Sequence, residues 1–147
     1  MKIIKASLNE LEFISILFDL YRQFYEQQTD IESAKTFLSE RINNNESMIF
    51  LAIDNKKTGM GFVQLYPSFS SVSMKKTWIL NDLFVHEHFR KQGVAEALIE
   101  RAISHAVETN AKGLALETHI SNVSAQKLYD KKGFKRDKDH YYYYLMV

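Results

Sequence analysis

Residues 90–95 read Arg-Lys-Gln-Gly-Val-Ala, between an apolar run, TWILNDLFV (77–85), and a helix-patterned one, VAEALIERAISHAVE (94–108). A glycine turn that leaves a strand and opens a helix presents unpaired backbone N–H groups at the positive end of a helix dipole, which is an anion site. Arg90 and Lys91 add two cations beside it, and Gly93, lacking Cβ, permits a left-handed turn and close backbone approach to a phosphate. The amides of Gln92, Gly93, Val94 and Ala95 are the expected donors. Asp82 is the second residue with chemical potential. A carboxylate inside an apolar strand must find a partner or line a cleft, because an unpaired buried charge is costly.

About thirty residues on, Asn122 to Phe134 reads NVSAQKLYDKKGF, the pattern N-x-x-A-x-x-L-Y-x-x-x-G-F. Together the two segments resemble the GNAT superfamily of acyl-CoA-dependent N-acetyltransferases, the first matching its pyrophosphate motif and the second its C-terminal helix. The resemblance implies acetyl-CoA as co-substrate; the residues themselves point to no metal. It implies splayed fourth and fifth strands with the pantetheine arm between them, bonded to the backbone of Phe84 and Val85. One backbone N–H there would steady the oxyanion, a role worth ~3 kcal/mol. It implies that Asn122 faces coenzyme A and that Tyr129 lies near the thioester sulfur, where a phenol can protonate the departing thiolate. Asn122 also suits a helix N-cap.

The general base is less sharply marked. Some polyamine-type relatives carry Leu-Glu-Asp in the fourth strand, whereas this chain has Leu80-Asn81-Asp82. An amide orients a substrate or water but takes no proton, so Asp82 is the expected base or ammonium anchor and Asn81 a substrate-orienting group. Glu117 and His119, two apart on an expected fifth strand, are reserve candidates. The resemblance also implies that Tyr25, Glu26 and Asp30, at the junction of the first two helices, wall the acceptor cleft. His86 and His88 form an H-x-H pair with no third ligand indicated, so a loop is expected rather than a metal site.

The elements that must carry these residues follow from periodicity. Residues 2–6 read as a strand. Ser7 and Glu10 form a capping box that opens a helix with apolar positions Leu11, Ile14, Phe18, Tyr21 and Tyr25. Thr29 and Glu32 repeat the capping pattern before a second helix with Ile31, Ala34, Leu38 and Ile42. Met48 to Ile53 reads as a central strand and Met60 to Tyr66 as its hairpin partner, ended by Pro67. The serine-rich stretch after it, within PSFSSVSMKK, is an expected exposed loop, either a lid or a dimer contact. After the strand and helix described above come a strand at LALETHI, a short helix from Asn122 with Gly133 as its left-handed C-cap, and a terminal strand or hairpin over Phe134 to Val147. The alternation gives an α/β fold. The resemblance gives its topology: a mixed, mostly antiparallel sheet with splayed central strands and flanking helices.

The 147 residues, 46% hydrophobic, suit one domain over 1–147. A net charge of +1 gives no nucleic-acid or acidic-membrane footprint. The chain has no cysteine, which excludes disulfides, thiolate metal sites and a cysteine acyl carrier. No stretch is long and apolar enough for a membrane span, and the first ten residues lack a signal-peptide core, so a cytoplasmic protein is expected. The expected activity is acetyl transfer to the primary amine of a small molecule by direct attack in a ternary complex, with a homodimer through the Tyr141–Tyr144 region. An acyl-CoA-binding sensor module and a peptide or protein N-acetyltransferase are the alternatives.

Overall fold

The computed structural model describes residues 1–147. Its contacts fall into two compact units, Met1–Glu117 and Thr118–Val147. The first unit holds a five-stranded sheet in the order β1 (Lys2–Lys5), β2 (Met48–Ile53), β3 (Gly59–Ser70), β4 (Lys75–Val85) and β5 (Leu114–Ala115). The first three pairings are antiparallel and the last is parallel. Its helices are α1 (Leu11–Phe24), α2 (Ile31–Asn43) and α3 (Val94–Glu108), and the second unit carries α4 (Val123–Lys131).

Met48 to Ile53 is central as its apolar run requires, paired on both edges. Ser7 forms the expected box: its backbone N–H donates to Glu10, and its hydroxyl accepts from the Asn9 amide. This box opens a single 3-10 turn that runs directly into α1. Ile14, Leu17 and Phe18 of α1 pack with Ala34 and Leu38 of α2 and Phe62 and Phe84 of the sheet. Tyr25, placed on the buried stripe by spacing, is 53% exposed, because α1 ends one residue before it.

Four elements differ from expectation. The cap of α2 is Asp30, whose carboxylate accepts the Ser33 amide at 3.0 Å, while Thr29 donates its hydroxyl to Asp19 instead. Pro67 does not end β3. The β2 ladder stops at Leu65, so the strand beyond has a neighbour on one side only, where a missing N–H is tolerated. The serine-rich stretch is therefore mostly hairpin, turning at Ser71–Met74, and not a long lid. At the far end, β5 is two residues long, so Glu117 and His119 do not share a strand face. Residues 134–147 form no strand, and Tyr141–Tyr144 are exposed. A run of seven apolar residues has no alternation to fix a register, and register is what turns β propensity into pairing.

The departure that matters for the site is a bulge. Asp82 lies opposite Gln64 and Leu80 opposite Leu65, so Asn81 is an extra residue in β4. Strict alternation would put Trp78 and Phe84 on one face. Trp78 instead meets His105 of α3 at 4.9 Å, while Phe84 meets Tyr21 of α1 at 6.2 Å. The bulge re-aims the second half of β4, and with it Asp82, onto the α1 face.

Candidate active site

Asp82 is 4% exposed. Its Oδ2 accepts from Gln64 Nε2 at 2.6 Å and its Oδ1 from Asn81 Nδ2 at 3.0 Å, and the Tyr21 hydroxyl is a third hydrogen-bonding partner. All three are neutral. Burial raises the carboxyl above its ordinary value, and the three hydrogen bonds offset this only in part. The same burial, with the adjacent carboxylate, pushes the Tyr21 phenol well above its usual range, so Tyr21 stays a donor. Tyr66 accepts from Gln64 Nε2 at 3.1 Å, and burial and Asp82 push it up to about 12. Tyr25 adjoins Tyr21 edge to face at 5.1 Å and hydrogen-bonds with it. A buried carboxyl with a raised pKa and no cation is suited to receive a proton near neutral pH.

The edge of β4 supplies the second component. Trp78 and Ile79 pair with Leu114 and Ala115, and beyond Ile79 the strand has no β5 partner. The His86 amide donates to Met60 O at 2.9 Å. Strand alternation then turns the Phe84 backbone toward β3 and leaves the groups of Leu83 and Val85 on the open edge. The Val85 carbonyl there accepts from Arg90 Nε at 3.1 Å. Of the two backbone positions expected to meet coenzyme A, Val85 lies on the open edge. Phe84 turns its backbone toward β3, and Leu83 shares the open edge with Val85, an arrangement that the register determines.

The third component is the start of α3. Gly93 caps the helix at φ +81 and has no side chain to close it. The first intrahelical bond runs from the Ala97 amide to Gly93 O, which leaves the amides of Val94 and Ala95 without an intrahelical acceptor. A Cβ at Gly93 would meet nothing within 4 Å, so the space before the helix is open. Arg90 and Lys91 are exposed beside it, and Lys91 is itself left-handed at φ +59. Gln92 donates its side-chain amide to His88 O at 2.9 Å, which ties the turn together. An uncapped helix N-terminus with two flanking cations fits the pyrophosphate of coenzyme A. By contrast, α2 and α4 are closed by their own Asp30 and Asn122.

Next to these groups, Leu20, Gln23 and Phe24 of α1 and Phe84, His86, Glu87 and Arg90 line a pocket of about 300 Å³. Glu26 sits just past α1 in a left-handed conformation at φ +61. Asn81 spends its amide on Asp82. His86 Nδ1 accepts the His88 amide at 3.3 Å, which caps a short 3-10 turn.

In the second unit, Asn122 is the N-cap of α4, accepting from the Ala125 amide at 3.3 Å. The helix closes as its Gly-Phe ending requires. Gly133, at φ +89, donates to Asp130 O, and the Phe134 amide donates to Tyr129 O at 3.1 Å. The Tyr129 and Phe134 rings pack edge to face at 5.8 Å, so Tyr129 is held by the helix end it helps to form.

Sequence reasoning missed Gln64, Tyr66 and Leu83 as site residues and read Tyr21 only as packing. A glutamine inside the apolar run GMGFVQLY was the available signal for Gln64.

Comparison with known proteins agrees with this architecture. Residues 14–134 match the sequence profile of the Acetyltransferase (GNAT) family. The uncharacterised N-acetyltransferase YhfO of Bacillus subtilis (strain 168) is 42% identical over 147 residues, covering 100% of this chain and 98% of that protein. A probable acetyltransferase of Haemophilus influenzae is 35% identical over 135 residues, covering 92% and 90%. The crystal structure of a probable acetyltransferase superposes with a TM-score of 0.96 at 41% identity, covering 100% of this chain and 98% of that one. The chain belongs to the GNAT family of acetyltransferases.

Proposed function

We propose that this acetyltransferase moves an acetyl group from acetyl-CoA to the primary amine of a small molecule, by direct attack with both substrates bound and with Asp82 as the general base. The observation that carries this reading is the neutral-partnered carboxyl of Asp82, buried on the α1 face and next in sequence to the open backbone edge that begins at Leu83. A primary amine is largely protonated at neutral pH and must lose a proton before it can act as a nucleophile, and Asp82 receives it. Acetyl-CoA supplies the activated thioester. The amides of Val94 and Ala95, with Arg90 and Lys91, hold its pyrophosphate. The edge N–H groups of Leu83 and Val85 face the chain that leads to the thioester and the oxygen on which charge develops.

Tyr129 is assigned proton donation to the leaving thiolate, and Asn122 a cofactor contact; both rest on their match to the family pattern. Tyr25 and Glu26, at the end of α1, are assigned to the acceptor side. The chain has no cysteine to carry an acyl group, in keeping with direct transfer. The proposed setting is a cytoplasmic single-domain protein acting without a metal, with a homodimer through the exposed 141–147 segment.

The test is release of free coenzyme A from acetyl-CoA across a panel of small amines, amino acids, aminoglycosides and short peptides. Release that depends on a small amine and falls in Asp82→Asn and Tyr129→Phe supports the reading. Release with peptides alone transfers the activity to peptide N-termini. Saturable acetyl-CoA binding without turnover on any acceptor would leave two readings, an acceptor outside the panel or a sensor.

A further inference from the structure

The Gln64 side chain is fully buried, and its amide links two other polar groups on the α1 face of the sheet. Its Nε2 donates to both Asp82 Oδ2, at 2.6 Å, and the Tyr66 hydroxyl, at 3.1 Å, while its Oε1 is buried with no partner. A glutamine placed only for packing would be expected to satisfy its acceptor, since an orphaned buried carbonyl is destabilising. Here both of the amide's bonds run through one nitrogen, and one of them is to the only carboxylate in the cluster. Gln64 and Asp82 sit directly opposite each other across the β3–β4 ladder, a pairing that exists only because Asn81 is bulged out.

We propose that Gln64 is the positioning residue of this site: pinned by Tyr66, its amide fixes the Asp82 carboxyl in one orientation and sets the pH at which that carboxyl takes the acceptor's proton. The inference rests on the base assignment above and adds a residue to it. The titratable groups facing Asp82 are Tyr21 from α1 and Tyr66 from β3. Tyr25 stands behind Tyr21, and Arg41 of α2 acts on Tyr66. Both tyrosines facing Asp82 remain neutral through the working pH range, so the Gln64 amide is the adjustable donor. Removing it withdraws a hydrogen bond made to the charged form and leaves burial less opposed, so Asp82 holds its proton to higher pH.

The experiment follows Asp82 by carboxyl-carbon NMR titration and, on the same proteins, the acid limb of kcat/KM for an amine that turns over. The proteins are wild type, Gln64→Leu and Tyr66→Phe, each confirmed as folded by its thermal transition. Gln64→Leu is expected to move the Asp82 titration and the acid limb upward together by about one to two pH units. Tyr66→Phe, which only unpins the amide, is expected to move both the same way by less. An Asp82 titration unchanged in Gln64→Leu and Tyr66→Phe overturns the role of Gln64 and leaves the base assignment standing. A titration that moves while the acid limb stays put supports the hold of Gln64 on Asp82 and removes Asp82 as the base.

Discussion

Two aspartates of this chain expose almost no surface, Asp19 at 2% and Asp82 at 4%, yet Asp82 lies deeper in the protein and they have opposite fates. Asp19, on α1, accepts from the Thr29 hydroxyl at 2.6 Å, the Asp30 amide at 2.8 Å, Gln23 at 2.9 Å and the Arg22 guanidinium at 3.2 Å. Burial pushes its carboxyl up, but those four donors, one of them a cation, hold it below its ordinary value. Asp82 has three neutral partners and ends above its ordinary value. Surface exposure alone therefore says little about what a carboxylate does; depth and the kind of partner decide it. A carboxylate whose lone pairs are filled by backbone and cation is a structural fastener, here tying the end of α1 to the start of α2. One left with neutral donors has affinity for a proton to spend on chemistry.

The sharpest way to break that contrast is to neutralise each aspartate in turn. Asp82→Asn is expected to lower kcat/KM by roughly 10²- to 10⁴-fold, the span of general-base contributions, with acetyl-CoA affinity unchanged by equilibrium binding. Asp19→Asn is expected to leave kcat/KM within a few-fold and to lower unfolding free energy by about 2 kcal/mol in urea titrations. That is less than a fully buried pair would cost, because Arg22 is partly solvated.

Stability should separate the pair in the opposite sense. Asp82 has a raised folded-state pKa, so its cost appears as pH rises from its unfolded value through the folded one. Asp82→Asn is thus expected to gain about 1 kcal/mol at pH 7, the more so because Gln64 can turn its partnerless Oε1 toward the new amide. Asp19 has a lowered folded pKa. Its contribution is complete above the unfolded value near 3.9 and is lost as pH falls through the folded one.

A smaller effect in the same pH scan comes from His105. It is wedged between Phe50 and Trp78 with Nε2 buried and partnerless, and burial holds it below the ordinary histidine value. The unfolded chain then binds this proton first, so stability falls as pH drops below about 6.5, and His105→Leu should flatten that part of the slope.

Much of this was legible in the sequence. The inner positions of the helix stripes, the Ser7–Glu10 box, the Gly93 turn and the Asn122 and Gly133 caps are local codes, written in neighbouring residues and realised as read. Apart from the α2 cap and the exposed Tyr25, what failed was non-local. Pro67 was read as a stop because the end of the β2 ladder at Leu65 is not visible in β3 itself. The strand at LALETHI shrank to two residues because a strand's length depends on its partner. The bulge at Asn81 left only a faint mark, the loss of alternation after Leu80. Yet it decides that Asp82 faces α1, that Leu83 and Val85 form the open edge, and that Gln64 meets the carboxyl. Asp82 stands out by its chemical oddity in an apolar strand, and Gln64 by its own, whereas only the pairing brings the two together.

The most direct test of the base assignment is amine-dependent coenzyme A release by wild type and Asp82→Asn, followed from pH 6 to 9. Without a base the enzyme must wait for amine already deprotonated in solution. The variant should therefore start at least ~100-fold below wild type near neutrality and climb in proportion to free amine as pH rises, narrowing the gap. A folded Asp82→Asn that tracks wild type across the whole range would contradict the account and leave Asp82 a second structural aspartate like Asp19.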